Sequence, residues 1–128
     1  MEITKEILSS ILDAYAYEIV FADRNHIVQY MNKTAQLRYQ GRVKIGESLF
    51  NCHNENSRNK IEAFLKRAEA GEAEMFEAFN QKTHEREFFV PVKDAKGQVI
   101  GYFERHEASW SKDQPEIPVG EYWKHKDQ

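Results

Sequence analysis

The sequence predicts an α+β domain, a five-stranded antiparallel sheet flanked by helices with an amphipathic helix at its N-terminus. Three observations carry this expectation. Apolar residues near the start recur at helical spacing, and five short runs rich in β-branched and aromatic residues are divided two and three by a helical middle. Runs such as Ile19-Val-Phe21 and Phe88-Phe-Val90 also lack clean alternation, as expected of a sheet covered on both faces.

Ile3, Ile7, Leu8, Ile11, Leu12 and Tyr15 make one apolar stripe on an otherwise polar helix, which must therefore lie on something. Glu18-Ile-Val-Phe-Ala22 reads as a strand, Asp23-Arg-Asn-His26 as a turn and Ile27-Val-Gln-Tyr-Met31 as a second strand, together a β-hairpin. Asn32 suits the N-cap of a short helix through Thr34, Ala35 and Leu37 that stops at Gly41. Arg42 to Asn54 shows no sustained period. Asn54-Glu-Asn-Ser57 then offers acceptors to the free amides of a helix start, and Ile61, Phe64, Leu65 and Ala68 form that helix's apolar face up to Gly71. Glu74 to Phe79, Arg86 to Val92 and Val99 to Arg105 read as three further strands. The central helices are expected on one face of the sheet and the N-terminal helix on the other.

Asp94-Ala-Lys-Gly97 matches a type I turn followed by a left-handed glycine, which predicts a three-residue hairpin loop. Counting outward sets Val92 opposite Ile100, Phe89 opposite Phe103 and Glu87 opposite Arg105. A two-residue loop would instead set Arg86 against Arg105 and Glu87 against Glu104, and like charges directly opposite destabilise a pair.

Composition bounds the function. At 128 residues and 15.1 kDa the chain is one domain, read as residues 1–107 including the N-terminal helix, followed by a tail over 108–128. That tail holds Trp110, Trp123, Tyr122, Pro115 and Pro118, too aromatic to be simply solvated and so expected to pack. With 41% hydrophobic and 30% charged residues the chain is globular, not disordered. No apolar run nears the ~20 residues of a membrane span, and Met1-Glu-Ile-Thr-Lys-Glu6 lacks the order of a secretory signal, so a cytoplasmic location with no membrane partner is expected. The single Cys52 forms no internal disulfide, and the absence of CxxC or HxxxH spacing argues against a structural metal. Eighteen Lys and Arg against 21 Asp and Glu give a charge of -3, which attracts no phosphate backbone, so nucleic acid is not an expected partner. There is no Gly-rich phosphate loop, no Ser nucleophile motif and no carboxylate pair at acid–base spacing, so no enzyme is expected.

The order of elements and their residues resemble a PAS domain over roughly residues 10 to 107. The carriers are Ile19-Val-Phe-Ala-Asp23 with Ile27-Val-Gln-Tyr-Met-Asn32 and Ala35, similar to the family's opening hairpin and its Asn-x-x-Ala helix. Gly46 before the central loop follows, then Pro91-Val92, Asp94, Gly97 and Gly101. Asn51-Cys-His53 with Asn54 to Ser57 resembles a PAS subgroup having a Cys-His pair where the long helix begins, some of them fused to hemerythrin-like domains. The resemblance implies a sensor module whose sheet and helices enclose a small-molecule pocket. With no room for an output domain, such a chain would signal by contact with a protein partner.

Several residues are candidates within that frame. His53 could be the axial ligand of a heme iron, its only metal role; the plainer reading is a hydrogen-bonding histidine at the helix start. Cys52 invites comparison with the light-sensing branch of the family and its Asn-Cys-Arg-Phe-Leu-Gln motif. Only Asn51-Cys52 matches, and the Arg and Gln that help hold flavin are missing, which argues against flavin and for an inert thiol. Phe89 and Phe103, with Glu87 and Arg105 beside them, could wall a pocket and clamp a small polar or acidic ligand, or form ordinary core with a peripheral ion pair. His84 and His106 read as surface histidines, a metal pair being the alternative. Ile7, Leu8 and Ile11 could join two copies as a homodimer through the N-terminal helix, or pack on their own sheet. Two functions follow: a ligand-binding sensor, or a ligand-free structural dimerisation adaptor.

Overall fold

The structure, a computed structural model, describes residues 1–72, 76–80 and 85–108. Expectations for the tail from residue 109 onward and for His84 lie outside these described residues. The elements run α1 (Lys5–Ala14), β1 (Ile19–Asp23), β2 (Val28–Met31), α2 (Lys33–Tyr39), a single 3-10 turn (Leu49–Cys52), α3 (Glu55–Glu69), β3 (Phe76–Asn80), β4 (Glu85–Lys93) and β5 (Val99–Ala108). The strands form one antiparallel sheet in the order β2-β1-β5-β4-β3.

Side-chain caps start the helices, at Asn32 and Asn54 where the sequence places them and at Thr4 for the first, which leaves Ile3 outside the helix. Thr4, Asn32 and Asn54 accept from the amides of Ile7, Ala35 and Ser57 at the starts of α1, α2 and α3. Asn32 also joins three elements: Oδ1 accepts from Ile19 N (2.9 Å) and Ala35 N (3.0 Å), and Nδ2 donates to the carbonyls of Leu12 (3.0 Å) and Tyr17 (2.9 Å). The carboxamide is completely enclosed and uses both of its faces.

The core lies between the inner face of the sheet and α2, the 3-10 turn and α3. Val20, Ala22, Val28, Met31, Phe89 and Tyr102 meet Ala35, Leu49, Ile61, Phe64 and Leu65 there. The Phe64, Phe89 and Tyr102 rings stand pairwise 6.0 Å apart in tilted and edge-on arrangements. On the outer face α1 buries no residue. Leu12 instead edges an open apolar groove of about 360 Å³ lined by Ile19, Phe21, Tyr30, Val92, Ile100 and Phe103.

The β4–β5 hairpin corrects the predicted register. The turn forms as expected: Gly97 is left-handed (φ 80°), the Asp94 amide donates to the Gln98 carbonyl at 2.9 Å, and Lys93 lies opposite Val99. The next pair, however, is Val92 with Gly101, so Ile100 is an extra, bulged residue. Every later pair moves by one, to Phe89 with Glu104, Phe88 with Arg105, Glu87 with His106 and Arg86 with Glu107. Gly101 shows why. A Cβ there would lie 2.2 Å from the Ala22 carbonyl oxygen and 2.9 Å from the Phe21 ring, so glycine permits the close approach of β1 and β5.

Candidate functional site

The bulge decides which side chains share a face, because residues directly opposite in an antiparallel pair project to the same side. Phe89 and Glu87 lie on the inner face, with Tyr102, Glu104 and His106 across from their strand. Phe103 and Arg105 lie on the outer face, where Phe103 lines the groove and Arg105 sits 4.1 Å over the Phe88 ring and 3.1 Å from Glu107. The expected wall of Phe89 with Phe103 and clamp of Glu87 with Arg105 is therefore divided by the sheet.

The inner face carries two polar features at one end of the core. The first is a cavity of about 80 Å³ lined by His53, Ser57, Lys60, Ile61, Ala78, Glu87 and Phe89, beside the N-terminal turns of α3. His53, half-buried, donates from Nδ1 to the Leu49 carbonyl at 2.8 Å, which leaves Nε2 as its available nitrogen. Burial raises the Glu87 carboxyl above the ordinary range, with Glu104 and Glu18 adding to the shift against His106 and Arg38. Of Cys52 only the backbone, at the end of the 3-10 turn, is described.

The second feature is a cluster of charged side chains where the ends of β1, β4 and β5 meet α2. Glu18, Glu85, Glu104 and His106 are buried, with exposures of 1%, 1%, 5% and 1%, and the Arg38 side chain is 12% exposed. His106 Nδ1 is 2.6 Å from Glu18 Oε1 and 3.5 Å from Glu85 Oε2, and its Nε2 is 3.0 Å from Glu104 Oε1. Arg38 Nη1 contacts Glu18 Oε1, lies 3.3 Å from Glu85 Oε2, and is 3.0 Å from His106 Nδ1. The other Glu18 oxygen is enclosed with no hydrogen-bond partner among the described residues.

Burial alone would depress the His106 pKa, yet Glu18, Glu104 and Glu85 outweigh it and hold the imidazole well above its ordinary value. Glu104 behaves conversely: burial raises it, and His106 with His53 and Arg38 brings it below the usual carboxylate range. The Tyr39 phenol is pushed well up by burial and then by Glu104 and Glu18. His106 is thus a buried member of a charge network, not the surface histidine expected. A period-two count along the strands could have found it: Tyr102, Glu104 and His106 alternate onto one face, as do Glu18, Val20 and Ala22.

Heme does not fit this interior. His53 Nε2 is a suitable donor, but a space of about 80 Å³ is well below the roughly 300–1,000 Å³ of drug-sized ligand pockets, and Phe64, Phe89 and Tyr102 fill the volume beyond it.

A family profile described as "PAS domain" matches residues 8–105. Among solved structures, a C-terminal domain from Streptococcus mutans aligns with a TM-score of 0.66 at 19% identity, covering 81% of this chain and 84% of that one. The PAS domain of BvgS from Bordetella pertussis gives 0.60 at 13%, covering 84% and 87%. A sensory box sensor histidine kinase from Vibrio cholerae gives 0.55 at 14%, covering 80% and 88%. At these identities the likeness is one of fold. No curated protein sequence matches.

Proposed function

The chain belongs to the PAS domain family, and on that premise we propose that it is a sensory module taking a small polar or acidic effector between the sheet and α3. It passes the change to a protein partner through the outer face and α1. The observation that carries this reading is the lining of the inner cavity, where His53, Ser57, Lys60 and Glu87 converge on about 80 Å³ beside Phe89. An acidic effector would meet the His53 imidazole and the Lys60 ammonium, and Glu87, its pKa raised by burial, suits a proton donor. The volume equals only a few water molecules at ~30 Å³ each, so the effector has few heavy atoms or displaces α3 as it binds. In this reading the chain binds and transmits rather than catalyses, and acts in the cytoplasm; among the described residues no helix is long and apolar enough to cross a membrane.

The test is a mass spectrum of what purified protein releases on denaturation, followed by thermal shifts with short-chain carboxylates. A released metabolite, or a saturable rise in Tm that His53→Ala removes, supports the sensor. No released molecule and no shift overturn it in favour of the dimerisation adaptor. The adaptor reading draws on α1, where Leu8 and Ile11 are 52% and 58% exposed beside the apolar groove. On either reading the homodimer forms through α1.

A further inference from the structure

The charge network supports an inference beyond the effector reading and independent of it. We propose that Glu18, Glu85 and His106 bind one divalent first-row transition-metal ion, of the Mn²⁺, Fe²⁺ or Zn²⁺ class, with Glu104 holding the imidazole from behind and Arg38 standing in for the ion when none is bound.

The donor atoms are already gathered. One atom each from Glu18, Glu85 and His106 lies within 4.8 Å of the others, and all three residues are buried. Ligand atoms held at ~2.0–2.2 Å from one ion stand roughly 2.8–3.6 Å apart at octahedral or tetrahedral angles; His106 Nδ1 already has that spacing to Glu85 Oε2 at 3.5 Å and opens from 2.6 Å at Glu18 Oε1 as the ion enters. Two carboxylate oxygens and one imidazole nitrogen suit this group of metals and leave coordination positions for water. The backing is also present. Metal-bound histidines characteristically donate their other N–H to a carboxylate, and His106 Nε2 does so to Glu104 at 3.0 Å, which aims Nδ1 at Glu18 and Glu85.

Two independent observations say that the site is suited to a cation. Glu18 turns one oxygen onto His106 and keeps the other fully enclosed without a hydrogen-bond partner, a costly arrangement for a buried carboxylate. The Arg38 nitrogen, meanwhile, stands among the same three donor atoms, 3.0 Å from His106 Nδ1 and within ion-pair distance of both carboxylates. Arg38 sits on the two-turn helix α2 with its side chain partly exposed, so it can withdraw toward solvent. Metal binding exchanges the Arg38 contact and the His106 Nδ1 proton for the ion, and releases that proton to solvent.

The experiment titrates chelator-stripped full-length protein with Zn²⁺ and Mn²⁺ separately by calorimetry, and follows Co²⁺ by its visible absorption. Wild type, Glu18→Gln, His106→Asn and Arg38→Met are compared. The expected result is one equivalent bound, at least tenfold weaker in Glu18→Gln and His106→Asn, and at least tenfold tighter in Arg38→Met, where the competing cation is gone. If the first two variants do not fold, the gain in Arg38→Met, with a Co²⁺ spectrum of nitrogen and oxygen ligation, still decides. Absence of binding in both wild type and Arg38→Met overturns the proposal, as does affinity unchanged across all four proteins, which marks adventitious surface sites. The effector reading is judged separately: a preparation that releases a metabolite yet binds no metal sinks only this inference.

Discussion

The Tyr102 hydroxyl lies 2.7 Å from His26 Nδ1, joining the centre of the sheet to the turn of the first hairpin. The His26 ring is half-buried and stacks on Phe50 with centroids 4.3 Å apart. Tyr102 stays un-ionised, its pKa raised by burial, so the phenol donates and a neutral imidazole accepts.

That geometry sets a pH dependence. Burial lowers the His26 pKa below its ordinary value of 6.5, against the opposing pull of Glu62, Asp23 and Glu69. Between the folded pKa and about 6.5 the unfolded chain binds more protons at this site. The stabilisation is therefore complete above about pH 6.5 and is lost as pH falls toward the folded pKa. His26 has a left-handed backbone (φ 65°) that Asn tolerates, so His26→Asn is the informative variant. Melting curves from pH 7.5 to 5 should show a shallower acid decline in His26→Asn than in wild type. Parallel declines would remove His26 as the cause.

Asn32 is the polar residue on which α1, β1 and α2 converge. Asn32→Ala deletes an N-cap and removes the side-chain partner of the Ile19 and Ala35 amides and of the Leu12 and Tyr17 carbonyls, the Leu12 carbonyl keeping the Tyr15 amide. Caps are worth ~1 kcal/mol and buried unpaired groups ~1–3 kcal/mol each, so a loss of about 3 kcal/mol or more is expected in urea unfolding. Asn32→Asp should fare no better, because a carboxylate accepts from Ile19 and Ala35 but faces the Leu12 and Tyr17 carbonyls without a donor. A loss under about 1 kcal/mol in both would show the hub to be dispensable.

Much of the fold was legible because its signals are local. The caps at Asn32 and Asn54 and the Asp94 to Gly97 turn each act within four residues, and each forms as read. The bulge at Ile100 was not legible, because its cause is the Ala22 carbonyl on another strand. One misplaced residue then sent Phe103 and Arg105 to the wrong face and hid His106. The charge network was legible only in part: period two sets Glu104 and His106 on the face of Tyr102, but Glu18, Arg38 and Glu85 are scattered along the chain, individually resemble surface charges, and have none of the spacing that marks a local metal motif.

Gly101 should tolerate no side chain. Gly101→Ala places its Cβ against the backbone of Ala22, which cannot yield as a flexible side chain would. Destabilisation near the upper end of overpacking costs, about 3 kcal/mol, is expected from chemical unfolding. A change under about 1 kcal/mol would mean that β1 and β5 separate easily at this point.

Association is expected through the outer face. Leu8 and Ile11 are more than half exposed on α1, a helix none of whose residues is fully buried within one copy. Replacing both with Glu would place charge in the contact while leaving the inner core untouched. Sedimentation at tens of micromolar should report a dimer for wild type and a monomer for the double variant, with melting temperatures within a few degrees. A wild type that is already monomeric would remove the interface.

Ile100 is the one residue by which the register beyond the turn departs from the simple hairpin count, since Lys93 faces Val99 while Val92 faces Gly101. Deleting Ile100 turns a two-against-one step into a regular pair without changing any partner on either side. Deleting Phe103 instead leaves the bulge and moves Glu104 and His106 to the outer face, which breaks the buried network and strands the remaining carboxylates. The Ile100 deletion should therefore fold, with cross-strand nuclear Overhauser contacts between Val92 and Gly101 and between Phe89 and Glu104 retained. The Phe103 deletion should lose cooperative unfolding. If the Ile100 deletion instead loses the Val92–Gly101 and Phe89–Glu104 contacts, Ile100 is not a dispensable bulged residue and the register depends on it.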